Sequence, residues 1–209
     1  MEGAISHIAR ADPMMRRLIR KVGACTLTPA RRRSPYQSLV EAVAYQQLHA
    51  TAAESILRRF RGLFANGRFP GPEAILALDP TALRGVGFSA AKSTAIRDIA
   101  AKTLEGVIPS RRFLSRLDDD AIVERLIVVR GVGRWTVEMF LIFTLGRLDV
   151  LPLDDYGVRK GFGILSGADD LPDRRALLAH GERWRPYRSI ASWYLWRAVE
   201  LGKPQKAKR

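Results

Sequence analysis

The chain has 209 residues, with 35 Lys and Arg against 21 Asp and Glu and a formal net charge of +14. That length can bury a core without metal or disulfide staples. The positive excess favours an anionic polymer or surface as partner, a property shared by ribosomal, chromatin and membrane-surface proteins. Cys25 is the only cysteine, which excludes an internal disulfide, a thiolate zinc site and a cluster held by four cysteines.

His7, His49 and His180 are scattered and show no metal-ligand spacing. No stretch approaches the roughly 18 uncharged apolar residues of a membrane span, and the first residues lack an apolar signal core, so a cytoplasmic chain with no membrane partner is expected. In chain order, Asp12 and Pro13 read as the cap and first turn of a helix over 14–22, and 28–34 as a basic, Pro-containing linker. Tyr36, Leu39, Val40, Val43 and Ala44 then recur at helical spacing. Tyr45-Gln46-Gln47-Leu48-His49 interrupts that helix, which predicts a break exposing polar groups and one leucine. Further helices fit 50–64, 72–78, 89–104, 111–117 and 119–129, and later 158–165, 172–179 and 189–201. Alternating strand patterns are essentially absent, so the fold class is all-α.

The stretch 126–160 carries the most specific signal. Ile122, Leu126 and Val129 keep helical spacing until Arg130-Gly131-Val132-Gly133 stops the helix, and a second, nearly all-apolar helix is expected over 134–145. The first turn of that helix has unpaired amides and a positive dipole end, and with Arg130 and Arg134 alongside, the natural anion is a phosphate. An ordinary glycine turn between core helices is the plainer reading. Arg84-Gly85-Val86-Gly87 echoes the hairpin, either as a structural turn or as a helper phosphate contact involving Lys92. Twenty residues past Trp135, Asp154 and Asp155 follow Leu151-Pro152-Leu153 where an extended run gives way to a helix. One of the two is then an N-cap, and either could face a site.

Together, R-G-V-G-R-W-T followed by L-P-L-D-D-Y resembles the helix-hairpin-helix superfamily of DNA base-excision glycosylases, and within it the alkylation-repair branch, 3-methyladenine DNA glycosylase II. The resemblance covers about 36–201. It implies two helical subdomains flanking a cleft: the middle of the chain, about 50–150, forms one and carries the hairpin at 126–145, and the N- and C-terminal parts form the other. Residues 203–209 are expected to be a solvated basic tail. The β-rich domain that some bacterial members carry ahead of this unit is not expected. The implied activity is monofunctional. Alkylated purines of the 3-methyladenine and 7-methylguanine type are flipped from duplex DNA and released by hydrolysis, leaving an abasic site. Lyases of the superfamily carry a lysine where this chain has Trp135.

The implied roles are Asp155 as the catalytic carboxylate, with Asp154 as a cap or structural neighbour, and Trp135, Trp196, Tyr156 and Met139 as the base pocket. Gln47, Leu48 and His49 would contact DNA, with Leu48 as the wedge that fills the vacated stack and His49 in the minor groove. Arg130, Gly131, Val132, Gly133 and Arg134 would hold a phosphate. Trp184 and Trp193 read as core. No cofactor and no metal are implied, and a monomer acting on nucleoid DNA is expected. Two alternatives stay open: a non-catalytic helix-hairpin-helix DNA-binding module, and a basic RNA- or protein-binding helical domain.

Overall fold

Seven helices in this chain begin where a short side chain takes up the first unpaired amides. In the computed structural model, which describes residues 1–64, 67–79 and 81–202, Asp12, Ser34, Ser89, Ser110, Asp118, Asp155 and Asp173 each precede a helix and accept from an amide two or three residues on. No strand occurs among the described residues, as the all-α reading expects. The basic tail over 203–209 lies outside the described residues.

Packing divides the chain into two units: Met1–Pro29 with the chain from Gly146 onward, and Ala30–Leu145. The division falls within the basic linker. The first unit opens with α1 (Glu2–Ala11) and α2 (Pro13–Val22). The sequence reading had no helix over 2–11. Only Ala4 and Ile8 of α1 are buried, so its apolar stripe is two residues wide and leaves a weak periodic signal.

The second unit contains α3 (Pro35–Tyr45), α4 (Ala50–Gly62), α5 (Pro72–Leu76), α6 (Ala82–Gly85), α7 (Ala90–Leu104), α8 (Arg111–Leu114), α9 (Asp119–Leu126) and α10 (Arg134–Phe140). Helices α3 and α7 pack on each other. Leu39, Val40, Val43 and Ala44 on the first, and Ile96, Ile99 and Ala100 on the second, have no exposed surface. Beside them Phe60 meets Phe64, Phe69 and Phe88 edge-on, with centroids 5.7–5.8 Å apart. Each such pair adds about 0.5–1.5 kcal/mol to simple burial. Helix α9 stops at Leu126, short of the expected 129; Val129 stays buried from the turn that follows, so the apolar spacing runs on past the helix.

The expected single helix over 134–145 is also corrected. Its last turn, Leu141–Leu145, is a π-helix. The Ala30 amide donates to Phe143 O at 2.8 Å, and the Arg111 guanidinium donates to Thr144 O, Ala30 O and Arg33 O. Donors from outside the helix thus satisfy carbonyls that its C-terminal end leaves without an intrahelical partner. The same bonds tie together the two ends of this unit.

The first unit resumes with α11 (Tyr156–Ser166), α12 (Arg174–Gly181) and α13 (Arg188–Leu201). Helices α11 and α13 approach so closely that a Cβ on Gly161 would lie 2.1 Å from Leu195 O. Only glycine fits there. Asp12, fully buried, caps α2 and draws α12 and its neighbours inward: Trp184 Nε1 donates to Oδ2 at 2.9 Å, and His180 Nε2 lies 2.7 Å from the same oxygen. Trp184 and Trp193 are buried, in line with their reading as core.

Candidate functional site

In the second unit the hairpin is held from behind. The Arg130 amide donates to Asp98 Oδ2 at 2.7 Å. Gly131 has φ +76°, and a Cβ there would lie 2.7 Å from Ala95 Cβ, so both backbone and space select glycine. The Val132 side chain is buried and only its backbone can meet a ligand, which narrows the role expected of it. Gly133 caps α10 in extended conformation with open space around it. Arg130 and Arg134 are exposed. Arg134 is 3.8 Å from Glu138 and 3.9 Å from Asp120, loose pairs that a ligand phosphate could outcompete. Trp135, 41% exposed, stands in the first turn of α10, with the half-buried Met139 one turn on along the same side.

The break predicted after Tyr45 is present. Gln47 has φ +57°, a left-handed conformation uncommon for a non-glycine residue, and Leu48 projects from the turn 40% exposed. Gln47 and His49 are exposed as well; His49 occupies the N-cap position of α4, but its imidazole makes no capping bond. Lys92, weighed as a helper phosphate contact, is engaged with backbone instead. Its ammonium donates to Ala44 O at 2.9 Å and Gln46 O at 2.6 Å, and burial lowers its pKa. The echo turn before it is structural: Arg59 Nε donates to Val86 O at 2.9 Å.

In the first unit the two adjacent carboxylates separate cleanly. Asp154 is exposed and ion-paired to Arg174. Asp155 is 8% exposed and is itself the N-cap of α11, which corrects the reading of Asp154 as a cap. Its Oδ1 accepts from the Val158 amide and from Trp196 Nε1, both at 2.8 Å. Two N–H donors thus set the direction of a buried carboxylate, which is the arrangement that can stabilise a developing positive charge without reorganising. Gly157 leaves room for the indole: a Cβ would meet Trp196 Cδ1 at 2.8 Å and Asp155 Oδ1 at 3.1 Å. Sequence reasoning named Trp196 as a pocket aromatic and overlooked both its hydrogen bond and Gly157. A glycine inside the first turn of a helix, where glycine is a poor former, was the available signal.

Tyr156 turns to solvent, 64% exposed, with the Lys160 ammonium 5.8 Å from its ring centroid. It lines an open depression of about 450 Å³ with Lys160, Ile164 and Leu171. Asp155, Tyr156 and Trp196 therefore belong to one unit, and Gln47, Leu48, His49, the hairpin, Trp135 and Met139 to the other.

Residues 40–186 match the HhH-GPD superfamily base excision DNA repair protein family. The chain is 40% identical to DNA-3-methyladenine glycosylase 1 of Schizosaccharomyces pombe, over 97% of this chain and 91% of that protein. Among solved structures it is similar to the S. pombe 3-methyladenine DNA glycosylase in complex with abasic DNA, with a TM-score of 0.89 at 40% identity over 98% of this chain and all of that one. It is also similar to a DNA-3-methyladenine glycosidase from Bacillus halodurans, with a TM-score of 0.83 at 33% identity over 94% and 88%.

Proposed function

Because the chain belongs to the HhH-GPD superfamily of base excision DNA repair proteins, we propose that it is a monofunctional DNA glycosylase that removes alkylated purines, of the 3-methyladenine and 7-methylguanine type, from duplex DNA. It works as a monomer on nucleoid DNA. The observation that carries this reading is Asp155, a buried carboxylate oriented by the Val158 amide and the Trp196 indole.

The chemistry follows from the substrate. A purine alkylated on a ring nitrogen is cationic and already a good leaving group, so the protein needs little general acid. The N-glycosidic bond breaks with its electron pair on the base, and positive charge grows at C1′ and the ring oxygen. Asp155 stabilises that charge; water adds to C1′, its proton goes to solvent, and an abasic site remains. The aromatic faces of Trp135, Trp196 and Tyr156 favour an electron-poor cationic ring over a neutral one, and Met139 adds polarizable contact surface. The nucleotide must first leave the stack, at roughly a few kcal/mol, and the hairpin with Arg130 and Arg134 offsets part of this by gripping phosphate while Leu48 fills the gap. With tryptophan at residue 135 there is no amine to form a Schiff base with C1′, so the strand stays intact.

Base release from a randomly methylated duplex tests the reading. The expected result is release by the wild type, loss in Asp155→Asn, little change in Asp154→Asn, and strand breaks only after alkali. Tight, salt-sensitive duplex binding with no release would instead make the chain a non-catalytic DNA-binding module.

A further inference from the structure

One side of α7 supports both DNA-contacting features of the second unit. Lys92, Ala95 and Asp98 follow one another at three-residue steps. Lys92 holds the carbonyls of Ala44 and Gln46 at the base of the loop that presents Leu48. Ala95 is the side chain against which Gly131 closes, and Asp98 takes the Arg130 amide. Loop and hairpin are also joined directly, because Gln46 Nε2 donates to Gly131 O at 3.0 Å and to Thr136 Oγ1 at 3.2 Å.

The loop needs this support. It passes through a left-handed, non-glycine residue at Gln47, a conformation that costs of order 1 kcal/mol or more and persists only where the surroundings fix it. Its backbone bonds are local, from Gln46 N to Val43 O and from Leu48 N to Tyr45 O. Nothing in those two bonds sets where Leu48 stands relative to Arg130 and Arg134; the Lys92 and Gln46 side chains do. We propose that Lys92 and Gln46 are positioning residues, which hold the Leu48 wedge at a fixed distance from the phosphate-gripping hairpin so that binding a phosphate places the wedge in the stack. This rests on the glycosylase reading above. A wedge on a loose loop would lose entropy on insertion, whereas a braced one is ordered before the DNA arrives. The brace matters only when a base must be pried from its partner.

The test compares one 7-methylguanine paired with cytosine and the same base unpaired in a single-nucleotide bulge, under single-turnover conditions with the full chain. Lys92→Met and Gln46→Met remove the donors and keep much of the bulk. Each is expected to slow excision from the paired site about tenfold or more, the factor carried by a lost hydrogen bond to a charged or buried group. Excision from the bulge should change much less. Leu48→Ala should show the same paired-site defect, and Lys92→Met added to it should cost little more, because both act through one wedge. Equal losses on the two substrates, or additive losses in the double variant, would overturn the proposal and leave Lys92 and Gln46 as ordinary fold supports. Full activity of Leu48→Ala on the paired site overturns it at its premise. Absence of release by the wild type from either substrate marks failure of the glycosylase reading instead. Melting temperatures identify a variant that is merely unfolded, and Gln46→Glu, which keeps the shape and removes the amide donor, then supplies the comparison.

Discussion

A methyl group on residue 157 would fall 2.8 Å from the Trp196 ring and 3.1 Å from the Asp155 carboxylate. Gly157→Ala is therefore expected to push the indole off Asp155 and lower the excision rate about tenfold. Duplex affinity, which depends on phosphate contacts elsewhere, should stay within about twofold. Trp196→Phe keeps an aromatic ring and loses the N–H, so it should reproduce the rate defect. Single-turnover excision and a binding titration on the same samples separate the two effects. Of this arrangement, the sequence made the carboxylate pair and the tryptophans legible through their spacing. It could not choose between Asp154 and Asp155, because both follow Pro152 and either could cap a helix. Burial and a partner 41 residues away distinguish the two in the structure and support Asp155 in the proposed role. Asp12 shows a second residue-scale effect. Burial pushes its carboxyl up, but bonds from His180, Trp184 and the Met14 and Met15 amides outweigh this and hold it below the usual 3.8. Its stabilisation is present above the unfolded value and is lost as pH falls through the lower folded one. Asp12→Asn should cost about 1–3 kcal/mol at neutral pH and flatten the acid limb of a stability profile measured by denaturant titration.

Among the elements, the contact of α11 with α13 is the least forgiving. Gly161→Ala would drive a methyl to 2.1 Å from the Leu195 carbonyl, and the helices can relieve this only by separating. The expected cost is about 3 kcal/mol or more, seen as a melting temperature lower by about 6–12 °C for a chain of this size. Helix starts were readable because Ser and Asp caps are local chemistry, and Asp12, Ser89 and Asp118 lie where the periodic runs begin. Helix ends were readable at Leu104 and Leu201 but not where apolar periodicity continues into a buried turn, as at Val129. The π turn at Leu141–Leu145 was invisible for a different reason: an apolar run reads the same for an α and a π turn, and the groups that meet its last carbonyls, Arg111 and Ala30, are distant in sequence.

For the whole molecule, a net charge of +14 favours an anionic duplex, and the number of phosphates its Lys and Arg neutralise sets how binding responds to salt. The logarithm of duplex affinity should fall linearly with the logarithm of salt concentration. Arg130→Ala or Arg134→Ala should each reduce that slope by about 1, with weakening that is similar across DNA sequences. Charge made an anionic partner readable from composition, but the grip proposed for it lies on a hairpin fixed by Asp98, Ala95 and Gln46. The tied ends of the second unit also bear on how the chain reaches its native state. Asp12 and His180 are 168 residues apart, so the first unit would have to close a very long loop if the intervening chain were loose. Once Ala30 is bonded to Phe143, and Arg111 to both ends, that loop is already closed by the inserted unit, and the two separated pieces emerge from neighbouring points. The expected order of assembly is the inserted unit first and the split one second, which pulse-labelled hydrogen exchange during refolding checks. On a ribosome, α1 and α2 would have only each other to pack on until α13 has been made.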